Sequence, residues 1–149
     1  MTFSKSGSTI TQSGTDTSLS GLSSITGVTT TTVGSGISQV TVYNIGTHNI
    51  VINGNLTQGA SNAEQLFFAD NAAEPHLFIN NNATFTLGQN VTSGGQDRAE
   101  FPHSSIHFTK LHGQHISGKT ILNKGTFNFY GSIYANVFNF QQDAGASTT

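Results

Sequence analysis

Four of the chain's six histidines fall within one short segment, FPHSSIHFTKLHGQH, at His103, His107, His112 and His115. Imidazole nitrogens are metal ligands, and His103 and His107, four residues apart, share a face of either a helix or a strand. No carboxylate sits inside the segment, however, and an H-x-x-x-H pair without its glutamate lacks the base of a metal hydrolase. One such histidine repeated around a threefold axis is the other way the segment would hold a metal. Solvent-facing loop and strand histidines are the plainer expectation, with no metal and no other cofactor. The nearest acid pairs are Asp97 with Glu100, beside Arg98, and Asp70 with Glu74. Glycan cleavage needs two carboxyl groups held across a cleft on rigid elements, whereas loop acids near an arginine form surface ion pairs of little weight. Seventeen serines give many chance neighbours to histidine, but no G-x-S-x-G elbow is present. The chain is not expected to be an enzyme.

Three further patterns carry less. Thr9-Ile10-Thr11, Thr15-Asp16-Thr17 and Thr84-Phe85-Thr86 are similar to the T-x-T units of flat ice-binding solenoids. That activity needs the unit at one position of successive coils, and along the sequence these units are scattered, so ice binding is not expected. Asn55-Leu56-Thr57, Asn82-Ala83-Thr84 and Asn90-Val91-Thr92 match glycosylation acceptors, which matter only in a eukaryotic secretory pathway. Gly94-Gly95 with Asp97 is a single echo of calcium-binding repeats, which need that pattern at fixed steps.

The elements that must carry these residues follow from composition. A length of 149 residues suits one core. Ser, Thr, Gly and Asn supply 69 of them and charged residues 8%, so the surface is made of hydroxyls and amides. Eleven phenylalanines still provide a packed interior, which argues against disorder. Five Lys and Arg with a net charge of -2 give no basic stripe for nucleic acid. Apolar runs are far shorter than the ~20 residues of a spanning helix, so no membrane contact is expected. Met1 to Gly14 lacks the apolar centre of a secretory signal, so any passage outside takes another route. Without cysteine there are no disulfides, and stability outside a cell would rest on dense hydrogen bonding or oligomerisation.

Residues 1–36 hold 25 Ser, Thr or Gly and one aromatic, Phe3. They read as an extended arm that orders against a partner, ahead of a second region, 37–149. From Ile37 to Leu56 apolar residues alternate between the breaks at Gly46 and Asn53-Gly54, the latter a strong turn signal. Ser61 and Glu64 have capping-box spacing, which predicts a helix over 61–74, although Leu66-Phe67-Phe68 equally suits a buried strand. Ile52 to Thr57, Ile79 to Phe85 and Leu122 to Phe127 each read aliphatic, Asn, turn, then Thr or an apolar residue, at unequal spacings. Stacked coils account for this, with Ile79 and Leu87 lying against Leu122 and Phe129 and with Asn ladders at the corners. The expected fold is therefore all-β, an irregular β-solenoid (β-helix-like). The alternative is a sandwich of short antiparallel strands.

Ten of the eleven Phe lie between Phe67 and Phe140, which places the heavy core late in the chain. In Ile121 to Phe140, the residues Phe127, Phe129, Phe138 and Phe140 are expected inward. Tyr130, Tyr134 and Val137 fall on the other face, and Tyr130 and Tyr134 are the expected partner contacts.

Ile10 to Thr31, ITQSGTDTSLSGLSSITGVTTT, with the alternating segment Val40 to Asn55 and the late run Gly125 to Gly131, resembles virion-appendage proteins of tailed bacteriophages, the tail fibres and spikes. The resemblance covers about half the chain and is compositional. It implies an N-terminal attachment arm leading into β-helical coils, often trimeric, located on the virion and assembled with tail, baseplate or capsid proteins. It carries over no functional residues. The readings that follow are the attachment region of a tail fibre, a capsid-decorating protein, or a fragment of a glycan-cleaving or glycan-binding spike or adhesin.

Overall fold

Runs in which every second residue is aliphatic or aromatic have one face to bury, and here each run becomes a short strand. The computed structural model describes residues 2–58, 62–68, 75–89, 102–108 and 118–149. Within them the protein is all-β, its strands joined by turns and two short 3-10 segments, Ser20–Ser24 and Gly36–Ser38.

Three open sheets share the strands. The first runs β1 (Phe3–Ser6), β2 (Thr9–Gln12), β6 (Asn49–Ile52), β9 (Leu77–Ile79), β12 (Lys119–Asn123) and β15 (Phe138–Gln142). The second runs β3 (Thr15–Asp16), β7 (Asn55–Gln58), β10 (Thr84–Leu87), β13 (Thr126–Phe129) and β16 (Ser147–Thr148). The third runs β4 (Thr29–Val33), β5 (Val40–Asn44), β8 (Ala63–Phe67), β11 (Ser105–His107) and β14 (Ser132–Tyr134). From β6 onward the chain visits the sheets in rotation. Among the described strands pairing is parallel except for β1 with β2 and β4 with β5, so the antiparallel sandwich is not what forms.

Parallel register aligns like residues into columns. Ile10, Ile50, Leu77, Ile121 and Phe140 are successive partners in the first sheet. Leu56, Phe85 and Phe127 follow one another in the second, and Tyr43, Leu66, Ile106 and Ile133 in the third. All of these except the last strand's Phe140 meet in one core, to which Phe68 and Phe108 add a ring pair 5.3 Å apart. The corners are tight. A Cβ on Gly54 would stand 2.0 Å from the Gly14 carbonyl oxygen, and one on Gly125 would stand 2.4 Å from the carbonyls of Asn80 and Ala83, so no side chain fits at either. An amide ladder does form at one corner, where Asn80 Nδ2 donates to Asn53 Oδ1 at 2.8 Å.

Several sequence expectations change. Ala63–Phe67 is strand β8, not the start of a helix, while 69–74 lie outside the described residues. The pairing of Leu87 with Phe129 holds, but Ile79 faces Asn123, one residue beyond Leu122. Asn123 takes the inward position because its side chain serves the turn: Oδ1 accepts from Gly125 N–H at 2.9 Å, and Nδ2 donates to the Ser147 carbonyl at 2.8 Å. The stretch 1–36 buries Phe3, Ile10, Leu19, Leu22 and Ile25 in the common core, so its apolar residues order on the chain itself. Thr29–Val33, by contrast, is exposed along its whole length.

Candidate assembly surface

The two ends of the stack differ. At one end the antiparallel strand β1 lies on β2, and the segment Ser20–Ser24 buries Leu22 in the same core as Phe3, closing it. A buried carboxylate fastens this closure: Glu64 on β8 accepts the Leu19 N–H at 2.8 Å and the Tyr43 hydroxyl at 3.0 Å. Burial pushes the Glu64 carboxyl above the usual carboxylate range, and its two hydrogen bonds offset part of that rise. Burial, and then the Glu64 charge, likewise push the Tyr43 hydroxyl up.

At the other end, β14, β15 and β16 are the last described strands of their sheets, as β1, β3 and β4 are at the first, and among the described residues each has one row of backbone groups without a partner strand. Phe129, Ile133, Ala135 and Phe138 are only partly buried against the core. Phe140 continues the column of Ile121 yet is 40% exposed, because no further strand among the described residues covers it. Of the four phenylalanines expected inward, Phe127 alone is fully buried; Phe138 tilts against Phe108 at 5.7 Å, and Phe140 reaches Phe127 at 6.2 Å. This end sets part-exposed aromatic and aliphatic side chains beside strand edges, among the exposed polar residues of β15 and β16.

Tyr134 stands on the outer face of the third sheet and is 48% exposed. Its ring stacks on His107 at 4.5 Å, and His107 stacks on Phe67 at 4.0 Å, an aromatic column whose last ring borders the open end. Tyr130 lies in the turn after β13, half-buried, its N–H donating to the Leu87 carbonyl at 3.0 Å. Val137, 62% exposed, completes the rim.

The structure gives the other candidate residues different places. Besides its stacking, His107 brings Nε2 within 2.7 Å of Ser105 Oγ, while His103 is half-buried ahead of β11. Among the described residues no group of three His, Asp or Glu is placed to hold a metal ion. His112, His115, Asp70, Glu74, Asp97 and Glu100 lie outside the described residues. An open groove of about 410 Å³ runs along the corner between the first two sheets, lined in part by Asn81, Asn82, Thr84, Lys124 and Thr126. Lys124 is engaged locally, 3.8 Å from Asp143 and over the Phe78 ring at 5.7 Å, so the groove presents amides and hydroxyls.

Sequence reasoning missed the buried polar residues that secure the turns. Gln12 Oε1 accepts the Gly54 N–H at 3.0 Å, and Gln58 Oε1 accepts Ser104 Oγ at 2.7 Å and the Gly88 N–H at 3.0 Å. The signal was present as a repeated aliphatic-Thr-Gln at Ile10 to Gln12 and at Leu56 to Gln58, where the glutamine occupies an inward strand position. Comparison with protein-family models, curated proteins and solved structures gives no match to this chain.

Proposed function

We propose that the chain is an irregular β-solenoid subunit of a tailed-phage virion appendage, and that it acts by assembly through its open end. The observation that carries the assembly reading is the difference between the two ends, both of which finish in edge strands: one is closed by β1 and Leu22, the other leaves Phe129 and Phe138 only partly buried and Phe140 40% exposed. The solenoid is supported by the rotation of successive strands through three sheets and by parallel register. Its irregularity lies in unequal coils, since Asn55 faces Thr84, Thr84 faces Thr126 and Thr126 faces Ser147. The virion setting rests on the Ser/Thr/Gly cadence of Ile10 to Thr31 and its likeness to phage fibres.

Assembly would work by strand addition. A neighbour's strand supplies the missing backbone partners of β14, β15 or β16, and its apolar side chains cover Phe138 and Phe140. Tyr134, at the end of its column, offers a ring face to the next aromatic. The partner is a second copy, in a trimer, or a tail, baseplate or capsid protein.

Light scattering of the purified chain over a range of concentrations tests this. The expected result is a mass above that of the 15.7 kDa monomer, returning to monomer in a Phe138→Ser, Phe140→Ser double variant that keeps its β circular dichroism. A wild-type monomer at every concentration that also retains no virion protein on a column would overturn the proposal.

A further inference from the structure

The outer face of the second sheet carries two columns of short hydroxyl and amide side chains. Register sets Thr15 beside Asn55, Asn55 beside Thr84, Thr84 beside Thr126, and Thr126 beside Ser147. Two residues further along the strands, Thr57, Thr86 and Asn128 form the second column. Of the three T-x-T units that look scattered in the sequence, Thr84-Phe85-Thr86 lies whole on this sheet and Thr15-Asp16-Thr17 contributes Thr15. Asn55-Leu56-Thr57 joins them across β7, and Thr126-Phe127-Asn128 extends the array across β13.

The array differs from the other outer faces in kind. None of its residues is charged or aromatic, whereas the corresponding column of the first sheet holds Val51, Phe78 and Leu122, and that of the third holds Phe67, His107 and Tyr134. Rigidity comes from beneath, where Leu56, Phe85 and Phe127 lie between the columns with exposures of 0%, 0% and 1%. Lateral contacts fix the side chains as well. Thr57 Oγ1 donates to Asn55 Oδ1 at 2.7 Å, Asn128 Nδ2 to Thr86 Oγ1 at 3.1 Å, and Ser147 Oγ to Thr126 Oγ1 at 3.4 Å. Every outward position is exposed or half-exposed.

Parallel strands repeat about every 4.8 Å across a sheet, and alternate residues repeat roughly every 6.6 Å along it, so the hydroxyls form a two-dimensional grid. That grid is close to the oxygen repeats on a prism face of ice. Threonine suits such a match, because its hydroxyl anchors a water while its methyl group excludes the disordered waters that a charge would gather. We propose that the outer face of β3, β7, β10, β13 and β16 binds the surface of ice. Adsorbed protein would then force the ice front to grow between bound molecules and slow its advance. The inference rests on the register of the second sheet and is independent of assembly at the open end.

The test uses ice itself as the probe. Purified chain is compared with an equal mass of serum albumin for crystal shaping and for inhibition of recrystallisation in a frozen sucrose film. Thr86→Lys, in the centre of the array, is expected to lose the effect, while Gln141→Lys, exposed on the first sheet, is expected to keep it. Both variants are checked for wild-type circular dichroism and melting; should Thr86→Lys not fold, Thr84→Lys takes its place. A cooperatively folded wild-type chain that leaves ice growth at the albumin level overturns the proposal. So does equal activity in the two folded lysine variants, one on each sheet.

Discussion

Glu64 ties together segments that lie far apart in the chain. Its spacing from Ser61 suggests a helix cap, but its side chain instead reaches Leu19, 45 residues earlier, and Tyr43. Local spacing cannot reveal a partner that distant, so both the false helix and the missed carboxylate have one cause. The consequence is a definite pH dependence. A carboxyl whose folded pKa is raised holds its proton more tightly in the folded state. Its stabilising contribution is complete below the unfolded value and is lost as pH rises through the folded one. Urea midpoints should therefore fall for the wild type as pH is raised above the unfolded carboxyl value, until the folded value is passed. Glu64→Gln keeps an acceptor for the Leu19 N–H, turns the second contact into a donor to the Tyr43 hydroxyl oxygen, and should remove this component. Parallel pH profiles for the two proteins would show that another group is responsible.

At the level of strands, alternation was legible wherever a column is wholly aliphatic or aromatic. Ile52 with Ile79 and Leu87 with Phe129 can be aligned by eye, and they are paired. Alignment slips by one at Leu122 because Asn123 occupies the inward site, an exception made by its hydrogen bonds to Gly125 and Ser147. The glutamines at 12 and 58 were missed for the same reason: buried polar residues that bond turn backbone look like surface residues in a pattern of hydrophobicity. Burial also ranks phenylalanines that the sequence treats alike. Phe85 is fully buried and stacked 5.7 Å from Phe127, while Phe140 is 40% exposed. Phe85→Ala should cost about 3–5 kcal/mol by chemical denaturation, the cost of a core cavity, whereas Phe140→Ala in the monomer should cost well under half of that. Similar losses at both positions would mean that Phe140 is covered in solution.

For the molecule as a whole, the decisive asymmetry lies between its ends, and composition hid it. Residues 1–36 are poor in aromatics, yet Phe3, Leu19 and Leu22 suffice to close a narrow core, because one layer of strands presents few side chains. The aromatic-rich end has more to bury and less to bury it with. Hydrogen exchange should register the difference directly. Amides of β2 and β6 lie inside the stack and should exchange only on global unfolding. In β15, the amides that point away from β12 have no partner strand among the described residues; on the proposed assembly they should exchange first in dilute monomer and gain protection as concentration is raised. If β15 stays unprotected while mass increases, the contact lies elsewhere. Protection appearing instead over Thr29–Val33, the exposed edge of the third sheet, would move it to the opposite end. Strand edges attract partners in proportion to their free backbone and the apolar surface beside them. Thr29–Val33 offers free backbone with one exposed valine, whereas β15 offers it beside Phe138 and Phe140. Protection is therefore expected at β15.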